Sequence, residues 1–112
     1  MKVAVSSTGK DITSNVDELF GRCSYFIIAE IKDKKITNVE TIKNMHVEKM
    51  GGAGISAAQE IVEKNVNAII TGNVGPRASE VLKQFKIPTY TGSGTVEEVL
   101  KKFVEGKLKK IL

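Results

Sequence analysis

Two kinds of group in this chain could do chemistry: a few reactive side chains and several stretches of bare backbone. The side chains are the single cysteine Cys23 and the single histidine His46, accompanied by Lys10, Asp11, Asp17, Arg22, Glu48 and Arg77. Arg22 directly precedes Cys23, and a neighbouring positive charge favours the thiolate, the form that binds metals and attacks electrophiles. The plainer alternative is a small buried thiol at a strand entrance. His46 lies between Met45 and Val47 and reads either as a ligand or as a bystander. One cysteine and one histidine cannot complete a tetrahedral zinc site, and no CxxC or HxxxH spacing is present. As metal ligands, Cys23 and His46 would suit a preassembled cluster that brings most of its own ligands.

The backbone candidates are four turns rich in small residues: SSTGK (6–10), MGGAG (50–54), TGNVGPR (71–77) and TGSGT (91–95). Glycines at 51, 52, 54, 72 and 75 leave N–H groups free to approach a ligand. A helix N-terminus adds positive partial charge, which makes such turns anion-friendly. Arg77 falls in a first helical turn and strengthens the case for TGNVGPR. GGAGI is not a P-loop, since no Gly-Lys-Ser/Thr follows, and it is not GxGxxG either. Tight helix–sheet packing is its competing explanation. Hydrolysis is poorly supported: KVAVSS carries no carboxylate, Glu30 and Glu40 stand singly, and no serine elbow accompanies the histidine. The residues describe a binding protein rather than a catalyst.

These groups need a scaffold. With 112 residues, 41% hydrophobic and 27% charged, the chain suits a single globular domain spanning residues 1–112. No apolar run approaches the ~20 residues of a membrane helix, and MKVAVSSTGK does not read as a signal peptide. A lone cysteine suits a reducing cytoplasm. The net charge of +4 includes five lysines among the last dozen residues, which read as a solvated helix face and tail rather than a nucleic-acid surface. Strands are predicted at Lys2–Ser6, Tyr25–Ile31, Ile36–Ile42, Asn67–Thr71 and Pro88–Thr91, with a tight turn at Asp33-Lys34-Lys35. In the third, Ile36, Asn38, Glu40 and Ile42 are predicted to share one side. Helical stripes follow: Ile55, Ala58, Ile61 and Val62; then Ala78, Val81, Leu82 and Phe85 behind Pro76; then Val96, Val99, Leu100, Phe103 and Val104 between an N-cap at Thr95 and a stop at Gly106. A meander followed by two βα units implies an α/β fold with a mixed sheet. Strands one, three, four and five would then end at one edge, where open α/β sheets bind ligands.

The segments DELFGRCSYFIIAEI, GGAGISAAQ, TGNVGPRA and GTVEEVLKKFVEGKL, in that order, resemble the dinitrogenase iron-molybdenum cofactor biosynthesis family. The resemblance implies a ribonuclease H-like domain with a five-stranded mixed sheet, order 3-2-1-4-5, strand two antiparallel, and three helices. It also implies a non-catalytic carrier of an iron–sulfur or iron–molybdenum–sulfur cluster or its precursor, working with cluster-assembly or acceptor proteins as a monomer or weak homodimer. The FGRC segment and the GGAG loop would flank the cluster, whose negative charge suits backbone N–H groups, arginine and a thiolate or imidazole. Family carriers commonly place a histidine directly before the Phe-Gly pair; Leu19 stands there in this chain. An oxyanion- or phosphate-binding module without metal is the alternative, and a nuclease a remote third.

Overall fold

The computed structural model describes residues 1–47 and 51–112. Its elements run β1 (Lys2–Ser7), β2 (Tyr25–Lys32), β3 (Lys35–Lys43), α1 (Ala53–Glu63), β4 (Ala68–Thr71), α2 (Pro76–Gln84), β5 (Thr89–Thr91), α3 (Val96–Val104) and β6 (Lys109–Lys110). Among the described residues they form one six-stranded mixed sheet of order β3-β2-β1-β4-β5-β6. β2 is antiparallel to β1 and β3, whereas β1, β4 and β5 are parallel. The expected order and directions hold, and the expected count of five is corrected to six. β6 adds antiparallel to β5 through Tyr90–Lys110 and Thr91–Lys109. Two exposed lysines carry no apolar alternation, so main-chain pairing alone makes this strand.

The alternating burial of the strands builds two cores. On one face Ala4, Phe26, Ile28 and Ile69 pack against Ala57, Ala58 and Ile61 of α1 and Ala78 and Leu82 of α2. On the other, Val3, Val5, Ile27, Ala29, Ala68 and Ile70 meet Val96, Val99 and Leu100 of α3. Leu82 and Leu100 are fully buried, and each such side chain contributes about 1.5–3 kcal/mol by leaving water. The predicted stripe of α2 ends early, because Phe85 is the C-cap residue and is 53% exposed.

The hairpin turn is as tight as expected. Asp33 (φ 53°) and Lys34 (φ 63°) both adopt the left-handed conformation of the turn that matches strand twist. The face assignment of β3 is corrected. Ile31 pairs with Ile36 but Glu30 pairs with Asn38, so Thr37 is an extra, bulged residue. The bulge moves Ile36 to the α3 face while Ile42 stays against the α1/α2 core. At the other end of the sheet, α3 begins with a capping box. Thr95 accepts from the Glu98 N–H, and the Glu98 carboxylate accepts from the Thr95 N–H. The Thr95 N–H first, and the Thr95 side chain second, hold the Glu98 carboxyl below its usual range. Gly106, at φ 70°, ends the helix as expected.

Candidate functional site

β1, β3, β4 and β5 all end at one edge of the sheet, and the 8–24 loop returns across it. Two helices start there side by side. α1 is entered through Gly51 (φ 84°) and Gly52 (φ 71°), a left-handed pair open to glycine at little strain, with no Cβ neighbour within 4 Å at either. α2 is entered through Gly75, extended at φ −68° and ψ 163°, followed by Pro76. Neither helix has a side-chain cap, and neither carries an acidic residue in its first turn. Among the described residues, the N–H groups of Ala53, Gly54 and Ile55 in α1 and of Arg77 and Ala78 in α2 have no intrahelical or side-chain partner to neutralise the dipole, whereas Ser56 and Ser79 already donate to the Gly52 and Gly75 carbonyls.

The two starts touch. A Cβ on Gly54 would lie 3.3 Å from the Cβ of Ala78, and a Cβ on Gly21 would lie 2.6 Å from the Gly54 Cα. These approaches, one to the Ala78 side chain and one backbone against backbone, close the walls of a cleft of about 270 Å³ lined by Gly21, Gly52, Gly54 and Gly75 with Ile55, Pro76, Arg77 and Ala78. Two convergent helix dipoles and one guanidinium make it suited to an anion. Gly52, Gly54, Gly75 and Arg77 are brought together as the sequence suggested; Gly51 sits one residue outside the lining.

A larger cleft, about 570 Å³, opens along the same edge between Asn15, Glu18, Asn73, Thr91 and Ser93. Its volume does not make it the anion site. Glu18 contributes a carboxylate, and the N-terminus of α3 beside it is already satisfied. Val96 donates to the Ser14 carbonyl at 2.9 Å, Glu97 to the Ile12 carbonyl at 2.8 Å, and Glu98 to the Thr95 hydroxyl. Gly72 belongs to this cleft, and its N–H donates to the Asp17 carbonyl at 3.3 Å. The expectation that Gly72 offers a free N–H to the ligand is corrected: its small size lets the Glu18 backbone approach, since an added Cβ would meet the Glu18 Cα at 2.5 Å. In SSTGK the Gly9 N–H is likewise taken, by the Ser7 hydroxyl.

The thiolate expected at Cys23 meets a different environment. Cys23 is fully buried in the α1/α2 core, and its Sγ donates to the Phe20 carbonyl at 3.3 Å. Burial, with the negative charge of Asp17 second, pushes the thiol up from 9.0 to about 12. Arg22 does not offset this; its Nη1 donates to the Val47 carbonyl at 2.8 Å and holds the 22 and 47 segments together. His46 lies on the flank of α1, its Nε2 3.0 Å from Glu60 Oε1. The Lys10 ammonium is 6.0 Å from the Tyr25 ring centroid. Glu48 falls outside the described residues, as does the Met50 that opens MGGAG. Among the described residues no three of His, Cys, Asp and Glu converge to hold a metal ion. As folded, then, the edge offers N–H groups and arginine rather than a chelating set.

Two site residues escaped sequence reasoning. Gly21 was visible inside FGRC, but its contact with Gly54 depends on tertiary packing. Asn44 is 1% exposed, and its side chain bonds the carbonyls of Gly21 and Cys23; nothing in the local sequence distinguishes it from a loop asparagine.

Comparison with known proteins bears on what this cleft serves. The family described as "Dinitrogenase iron-molybdenum cofactor" matches residues 1–106. The chain belongs to that family. Within reach of the family, an uncharacterized protein of Methanocaldococcus jannaschii, MJ0580, is 40% identical over 112 residues, covering 98% of this chain and 95% of that protein. A Thermotoga protein solved by NMR and assigned provisionally as NifB is 37% identical with a TM-score of 0.83, covering 97% of this chain and 91% of its own. The apo form of the orange protein from Desulfovibrio gigas superposes with a TM-score of 0.90 at 26% identity, covering 98% and 92%. No described helix is long and apolar enough to cross a membrane.

Proposed function

We propose that this member of the dinitrogenase iron-molybdenum cofactor family is a non-catalytic carrier of a preassembled, anionic metal–sulfur cluster or precursor. The cargo sits in the cleft between the starts of α1 and α2. The observation that carries this reading is the convergence of two uncapped helix N-termini, with Arg77, on one small cleft. A cargo that supplies its own sulfur ligands needs from the protein what this cleft has: N–H donors, positive charge and close backbone approach. Gly51, Gly52, Gly54 and Gly75 shape the cradle and Arg77 balances charge. Arg22 adds positive charge from the adjoining turn. Cys23 and His46 support the walls; the family's histidine position is occupied by Leu19, which is 53% exposed. The fold reads as ribonuclease H-like. The carrier would work in the cytoplasm with cluster-assembly or acceptor proteins, as a monomer or weak homodimer.

The burial of Cys23 favours a second reading, in which the same cleft takes a phosphate or other oxyanion with no metal. Anaerobic titration with a synthetic thiolate-ligated iron–sulfur cluster, and separately with molybdate, tests both. Arg77→Ala is expected to weaken binding of either probe by about tenfold, the range of one charge-assisted contact. Cys23→Ala should retain the cluster through desalting. Loss of the cluster from Cys23→Ala, with molybdate binding intact, would return the anchoring role to the thiol. Molybdate binding without cluster retention by the unmodified protein would establish the second reading.

A further inference from the structure

The 20–23 turn packs closely on the start of α1, and one buried side chain outside the cleft is hydrogen-bonded to that turn. Asn44 follows β3 and is 1% exposed. Its Nδ2 donates to the Cys23 carbonyl at 2.8 Å and the Gly21 carbonyl at 3.1 Å, and its Oδ1 accepts from the His46 N–H at 3.0 Å. Its own N–H donates to the Ser24 carbonyl at 3.0 Å. A carboxamide is the one small side chain that offers two N–H donors and an acceptor together. Aspartate keeps the acceptor and loses both donors; leucine of similar size loses all three.

We propose, resting on the cleft reading above, that Asn44 is the positioning residue of the anion cleft. It holds the Gly21 carbonyl so that the Gly21 backbone seats against Gly54, and through that contact sets where the first-turn N–H groups of α1 point. The chain of contacts is short: Asn44 to the Gly21 carbonyl, Gly21 to the Gly54 backbone, Gly54 to the cleft. Gly21 and Gly54 line the cleft directly; Asn44 acts only through the turn it binds.

The test separates positioning from plain loss of stability. Amide proton–nitrogen NMR spectra are recorded for the unmodified protein, Asn44→Asp, Asn44→Ala, and Val99→Ala, which opens a hole in the opposite core under α3. Each is titrated with molybdate at fixed pH. Both Asn44 variants are expected to shift the Gly21, Gly54 and Ile55 amides in the free protein and to weaken molybdate binding about tenfold. Val99→Ala, at comparable loss of thermal stability, should leave those amides and the affinity as they were. If one Asn44 variant fails to fold, the other carries the comparison. Unmoved Gly54 and Ile55 amides, or affinity within twofold of the parent, would overturn the proposal, as would an equal loss in Val99→Ala. If the parent protein binds neither molybdate nor the synthetic cluster, the cleft reading fails, and the positioning role stands or falls on the free-protein amides alone.

Discussion

Gly21→Ala is expected to lower stability by about 3 kcal/mol, the upper range for an overpacked site, and to abolish anion binding at the α1/α2 cleft. The added methyl would sit 2.6 Å from the Gly54 Cα and 2.8 Å from its nitrogen. Both obstacles are backbone at the start of a helix, so no rotamer change relieves them. The 20–23 turn must lift, and with it the bond between the Gly21 carbonyl and Asn44. For a chain of this size that corresponds to a fall in melting temperature of roughly 10–15 °C. Gly75→Ala is the control, because its backbone is ordinary for any residue and its added methyl meets nothing within 4 Å. Thermal melts of both variants, and molybdate titration of Gly21→Ala against the parent, check this; Gly75 lines the cleft, so its variant is the control for stability alone. Equal melting temperatures for Gly21→Ala and the parent would show that the two turns are not in contact in solution.

The second large effect is alkaline. The Cys23 thiol titrates near 9.0 when unfolded and at about 12 when folded. Between those values the unfolded chain has released the proton and the folded chain has kept it. Stability contributed by the neutral thiol is therefore complete below pH 9 and declines above it, by at most about 1.4 kcal/mol per pH unit. Lysines and tyrosines titrate in the same window, so the parent is compared with Cys23→Ala by urea unfolding from pH 8 to 10.5. The parent's advantage should shrink steadily above pH 9, and its thiol should react with disulfide reagents at pH 7.5 only as fast as the protein opens. Parallel stability curves and a rapidly reactive thiol would mean that Cys23 is presented as thiolate, in the manner a cluster anchor requires.

The contrast at Cys23 marks where sequence reasoning succeeds and where it stops. Periodicity located the buried strands and all three helices, because Val3, Val5, Ile69 and Leu100 must leave water whatever the ligand. Strand directions followed from loop lengths, and they in turn brought the glycine turns to one edge. What did not follow were properties set by single contacts. Arg22 lies next to Cys23 in sequence, yet its guanidinium bonds the Val47 carbonyl while the thiol turns inward beneath Phe20. Gly72 and Gly54 look alike in sequence; one is small to admit the Glu18 backbone, the other to sit against the Ala78 Cβ. β6 has no hydrophobic signature, because two lysines join the sheet by main-chain bonds alone. Thr37 moved Ile36 across the sheet through one additional residue that alternation cannot register.

That additional residue also bears on solubility. β3 is an edge strand, and KITNVETIK reads almost the same from either end about Val39. A regular strand with this pattern would offer a self-complementary template: an antiparallel copy would set Ile36 beside Ile42, Thr37 beside Thr41 and Val39 on itself, the geometry from which sheets polymerise. With Thr37 bulged, Ile36 and Ile42 point to opposite sides, and the copy could not match both at once. One inserted threonine thus breaks a sticky palindrome while leaving the nine-residue strand in place to hold Asn44 at its end.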